Sequence, residues 1–116
     1  MAWKNMTVTQ SELATGQTFS FESTEVLLAA GDSSSILIPQ LVANVIVTAE
    51  ASGGATACVY STTDPVATVK SGTGITWLAW HNGNISTPTA SAFFPVTAIK
   101  MTQIGAGSSK ISVRAQ

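Results

Sequence analysis

His81 is the single histidine of the chain, and it stands beside Asn82-Gly83. An imidazole there could serve as a general base toward Ser86 or Thr87, the hydroxyls that follow it. Acyl-transfer chemistry needs more than that pair. The serine has to sit on a strained elbow such as Gly-x-Ser-x-Gly and the base has to be oriented by an acid, and neither signal accompanies His81. The six carboxylates, Glu12, Glu22, Glu25, Asp32, Glu50 and Asp64, are scattered along the chain, whereas a glycosidase needs two of them across one bond. Asp32 is followed only by serines, without the Asp, Asn and Glu spacing of a calcium loop. Cys58 is the one cysteine, which removes an intrachain disulfide and a cysteine-based zinc site. Lying in an apolar alternating run, it is expected as a buried, inert thiol. Ser52-Gly53-Gly54 and Gly105-Ala106-Gly107 fall between strand patterns, so they predict turns and not phosphate cradles. No catalytic residue, cofactor site or metal site is expected.

The aromatic residues carry the remaining chemistry. Trp77, Trp80, Trp3 and Tyr60 could form a flat platform that stacks on sugar rings, with His81, Asn82 and Asn84 supplying polar contacts beside Trp80. The alternative is that Trp77 belongs to the core while Trp80 lies under a loop or against another subunit. Trp3, Trp80, His81 and Asn82 are accordingly the expected contacts to a partner or a glycan.

Something must position these residues, and the dominant period is two. Asn5 to Thr9, Thr18 to Phe21 and Thr24 to Ala30 alternate apolar residues with hydroxyls, and Gly31-Asp32-Ser33-Ser34-Ser35 reverses the chain before a strand at Ile36. Pro39 breaks that strand. Leu41 to Glu50 and Ala55 to Ser61 flank Ser52-Gly53-Gly54 and predict a hairpin. Thr73 to Trp80 puts Trp77 and Trp80 on opposite faces, one in the core and one outside it, and Asn82-Gly83 predicts a type I′ turn into a weak strand over 85 to 92. Val96 to Ile104 and Lys110 to Ala115 complete the set. The one helical signal runs from Asp64 as cap, through Pro65 at the first turn and Lys70 at the last, to Gly72 as left-handed stop. The pattern predicts an all-β fold: a single β-sandwich over residues 1 to 116, jelly-roll or immunoglobulin-like, with eight or nine strands and one short helix near 64 to 71.

Composition narrows the partners. The chain has 116 residues, 45% of them hydrophobic and only 9% charged, against roughly a quarter charged in an ordinary soluble domain. Polarity comes instead from 14 Ser and 16 Thr. A net charge of −1 offers no field for a phosphate backbone or an anionic membrane, so neither nucleic acid nor membrane is an expected partner. No run of about 20 apolar residues is present, nor a signal-peptide pattern, which predicts synthesis in a cytoplasm. Residues 1 to 64 hold all six acids and Lys4, a balance of −5, while residues 65 to 116 hold four bases and no acid, a balance of +4. Either the fold separates these halves and the molecule is electrically polar, or strands from both halves interleave and the polarity averages out.

Val59-Tyr60-Ser61-Thr62, Asp64-Pro65, Gly72, Trp77-Leu78-Ala79-Trp80, Asn82-Gly83 and Pro95-Val96-Thr97-Ala98-Ile99-Lys100 follow in an order that resembles small β-sandwich structural proteins of tailed bacteriophages, from the head and tail genes. The resemblance covers roughly residues 44 to 115. It implies a non-enzymatic virion protein, a capsid decoration or cement protein that binds at junctions of the lattice. The implied partners are the major capsid protein or other virion proteins and further copies of the chain as a homo-oligomer. A head-to-tail adaptor, tail or fibre-base component is the alternative within that class, and a carbohydrate-binding module used in host attachment is the alternative outside it. Residues 1 to 10, Trp3 among them, are expected as a contact arm onto a neighbour.

Overall fold

The computed structural model describes residues 3–5, 7–13, 16–39, 42–93 and 96–116, and the side chains of residues 21–39, 42–93 and 96–116. Ten strands and one helix follow in the order β1 Trp3–Asn5, β2 Thr7–Leu13, β3 Gly16–Leu27, β4 Ser33–Leu37, β5 Val45–Ser52, β6 Thr56–Thr62, α1 Val66–Ser71, β7 Leu78–Ala79, β8 Thr89–Phe93, β9 Ala98–Ile104 and β10 Ser108–Ala115. They form two five-stranded sheets, β1-β4-β9-β6-β7 and β2-β3-β10-β5-β8. Every neighbouring pair is antiparallel except β1 and β4. The eight strands β3 to β10 change sheet at every connection except β6 to β7, which is the wiring of a jelly roll, and β1 and β2 extend one edge of each sheet. The fold class is therefore all-β, a β-sandwich, with the jelly-roll alternative realised.

The core follows from the two-residue period. Val45, Val47 and Ala49 of β5 stand in register with Ala115, Val113 and Ile111 of β10, and all six are buried. Across the sandwich they meet Ile36, Ile99, Met101, Val59 and Ala57 in one cluster. Each large aliphatic side chain withdrawn from water contributes about 1.5–3 kcal/mol, so this double row is the main favourable term.

Several expectations are corrected. Ser52-Gly53-Gly54 does not close a hairpin: β5 and β6 lie in different sheets, and the glycines carry the chain from one sheet to the other. Asn82-Gly83 likewise does not join two paired strands. Gly83 donates its N–H to the Trp80 carbonyl at 2.9 Å, so His81 and Asn82 occupy the central turn positions, and the chain then crosses from β7 to β8 in the other sheet. The stretches 18–21 and 24–30 are one strand, β3, while the expected strand over 73–80 shrinks to Leu78–Ala79. A period of two reports which residues share a face, but it carries no sign of which sheet a strand joins. The expected strand start at Leu41 lies outside the described residues.

The helix stands where the sequence put it, with Gly72 left-handed at φ 76° and Lys70 in the last turn. Its cap differs. Pro65 takes the N-cap position, and the Asp64 carboxylate instead accepts the Thr76 backbone N–H at 2.6 Å, pinning the segment that returns to β7.

Two of the sheet-to-sheet connections cross in close contact. A Cβ on Gly107 would lie 2.3 Å from the Ser52 carbonyl oxygen, and one on Gly105 would lie 2.9 Å from that of Gly54. Gly107 also has φ +119°, so both space and backbone demand glycine there. Gly31 shares the positive φ, +85°, but has open space around its Cβ position. Gly107→Ala is expected to destabilise the domain by at least about 2 kcal/mol more than Gly31→Ala in urea unfolding. Equal losses for the two variants would show that backbone conformation and not the crossing sets the requirement.

Candidate functional site

On the outer face of the β1-β4-β9-β6-β7 sheet, Lys100 of β9 stands in register with Tyr60 of β6 on one side and Ser35 of β4 on the other. Its ammonium lies 5.2 Å from the Tyr60 ring centroid and 4.6 Å from that of Trp77, so two aromatic faces flank one cation. Burial pushes the Lys100 pKa below the ordinary lysine value of 10.5. Trp3 belongs to the same row at the backbone level, since its Cα pairs with Ser35; its side chain lies outside the described residues. Two residues from Tyr60 along β6, Cys58 is buried, as its apolar run implied. Burial raises its thiol pKa above the ordinary value, partly offset by a hydrogen bond with Tyr60.

The two tryptophans do divide between core and surface, with Trp80 inside. It is 3% exposed, its ring stacks on Phe93 at 5.8 Å between centroids, and His81 meets it edge-on at 6.1 Å. Trp80 thus has no open ring face to offer a glycan, which corrects its place among the expected contacts. Its backbone N–H donates to Val59, while its indole Nε1 has no hydrogen-bond partner. His81 and Asn82 are exposed at the adjoining turn. His81 Nε2 lies 3.1 Å from Ser91 Oγ, and not against Ser86 or Thr87. Nothing local in the sequence marks Ser91, because β8 reaches His81 only through its pairing with β5. Among the described residues no carboxylate bonds to His81.

The outer face of the other sheet brings the two halves of the chain together. β10, from the basic half, runs between β3 and β5 of the acidic half. Arg114 bonds Glu22 at 3.2 Å and Lys110 bonds Glu50 at 3.1 Å. Of the two electrostatic outcomes, interleaving is the one realised on this face. Between the pairs runs a stripe of hydroxyls: Thr24, Ser112 and Thr48 are in register, with Thr24 and Ser112 Oγ atoms 3.3 Å apart. Val26 and Ile46 stand 54% and 48% exposed on this face. Two shallow depressions of about 340 and 430 Å³ lie along it, one at the Arg114 end and one at the Lys110 end.

No protein-family model matches the chain. No curated protein matches it either. Among solved structures it is similar to the C-terminal CBM6 of LamC, a marine laminarinase from Zobellia galactanivorans, at 11% identity and a TM-score of 0.36 over 94% of this chain and 87% of that one. A likeness of that size bears no functional argument.

Among the described residues no three His, Cys, Asp or Glu side chains gather as a metal site, and no helix is long and apolar enough to cross a membrane. On the β3-β10-β5 face the surface offers two ion pairs with hydroxyls between them. The division of the tryptophans has a measurable consequence. Trp80→Ala removes a core side chain and is expected to cost about 3–5 kcal/mol of stability, whereas Trp77→Ala is expected to cost about 1 kcal/mol or less. Thermal or urea unfolding separates the two, and the reverse order would contradict this placement.

Proposed function

We propose that the chain is a non-enzymatic structural protein of a virion, one that covers junctions of the capsid lattice and stabilises the particle. The observation that carries this reading is the face formed by β3, β10 and β5. Its opposite charges are consumed pairwise within the molecule, and what remains is a broad surface of hydroxyls with Val26 and Ile46 exposed among them. Such a surface gains little by staying in water and binds by shape, at about 25 cal/mol per Å² of apolar area buried. Weak contacts of this kind become effective when many copies engage one lattice. Within the same class, a head-to-tail adaptor or tail component would use the same face in fewer copies.

A glycan reading retains one specific observation, the half-buried rings of Trp77 and Tyr60, but Lys100 already lies against both. Loss of glycan-array binding in Trp77→Ala would support that reading.

Purified particles decide the matter. The decoration role predicts copies in the hundreds per particle and lower resistance to heat and osmotic shock when the protein is absent. Unchanged resistance without the protein would overturn it.

A further inference from the structure

The strand β3 is 12 residues long, about 40 Å when extended. Its two ends have different neighbours. Phe21 to Leu27 pair with β10, whereas Gly16 to Ser20 pair with β2 alone among the described residues. Residues 9–13 and 16–20 are therefore, among the described residues, a two-stranded ribbon that runs past the end of β10, and the molecule is correspondingly long, 47 × 31 × 23 Å. A two-stranded ribbon in water is marginal at best; three or more strands are needed for it to hold.

The four sheet edges are unequal. β1 has three residues and β7 has two, too few to template another strand. β8 has five, directly preceded by Pro88 and followed in sequence by Phe94-Pro95. Short strands and prolines are the devices that keep edges from pairing. β2 has seven residues, with no proline, no lysine and one charge, Glu12. Among the described residues it is the one long edge strand that neither proline nor lysine interrupts.

We infer that β2 pairs with β2 of a second copy of this chain, antiparallel about a two-fold axis through Gln10. Full overlap of a seven-residue strand with itself fixes that register: Thr7 faces Leu13, Val8 faces Glu12, Thr9 faces Ser11, and Gln10 faces Gln10. Glu12 then meets no like charge, and the interface is self-complementary, as a two-fold contact must be. The order β3-β2-β2-β3 gives the ribbon its missing strands and joins the two five-stranded sheets into one of ten. Of the expected contact arm, residues 7–10 belong to this strand. This inference does not depend on the virion reading.

The full-length chain tests it by cysteine cross-linking and sedimentation. Opposed residues at the axis have Cα atoms about 4.5–5.5 Å apart, within disulfide reach, so Gln10→Cys should form a covalent dimer under mild oxidation. Thr7→Cys should not, because the two Thr7 positions lie about 20 Å apart along the strands. Gln10→Lys sets two ammonium groups facing each other and should shift the wild-type dimer toward monomer with an unchanged far-UV spectrum. A wild type that sediments as a monomer to its solubility limit, or a Thr7→Cys that cross-links as readily as Gln10→Cys, would overturn the inference.

Discussion

The carboxamide of Gln103 is the interaction on which this sandwich closes. Gln103 is 1% exposed, and both hydrogens of its NH2 group are used, one to the Gly105 carbonyl and one to that of Gly107, each at 3.0 Å. Its oxygen accepts from the buried Ser109 hydroxyl at 2.8 Å. Its backbone N–H and carbonyl bond Asp32 and Gly31 in the connection between β3 and β4. One residue therefore fixes the crossing from β9 to β10 and ties it to a second crossing. The glycines it holds lie against Ser52, Gly53 and Gly54 of a third. A buried amide satisfied on every side rigidifies what it touches, while the same group left partly unpaired would destabilise the fold by several kcal/mol.

Everything else hangs from that end of the molecule. With the crossings fixed, β10 is committed to lie between β3 and β5, and this placement brings Arg114 to Glu22 and Lys110 to Glu50. The exposed pairs add little stability, about 0–1 kcal/mol each. Their effect is on the surface: they pair two acids from the first half of the chain with two bases from the second and leave a row of hydroxyls between them. The opposite face is differently made, with Lys100 held between Tyr60 and Trp77. At the β2 edge, residues 9–13 and 16–20 form a two-stranded ribbon among the described residues.

The elements were legible in the sequence because strands and burial share one period. Val45, Val47 and Ala49 announce an inward row, Gly72 announces the helix stop, and Cys58 announces a buried thiol. The wiring was not legible. Ser52-Gly53-Gly54 serves a hairpin and a sheet-to-sheet crossing equally well, and only the contact with Gly107, more than fifty residues away, distinguishes them. Trp80 could be placed on the face opposite Trp77 but not assigned to the core, since that depends on Phe93 arriving from β8. The same nonlocal step hides the meeting of His81 with Ser91. Gln103 itself reads as an ordinary polar residue in a strand until its three partners are seen.

The central claim is that this buried amide, and not the glycine conformations alone, holds the end of the sandwich together. Urea unfolding of Gln103→Leu tests it most directly, because the side-chain volume is nearly kept while the buried Ser109 hydroxyl and the half-buried Gly105 and Gly107 carbonyls lose their hydrogen bonds. The account predicts a loss of about 3 kcal/mol or more with an unchanged m-value. A loss within about 0.5 kcal/mol of wild type, the range of an inconsequential substitution, would contradict it.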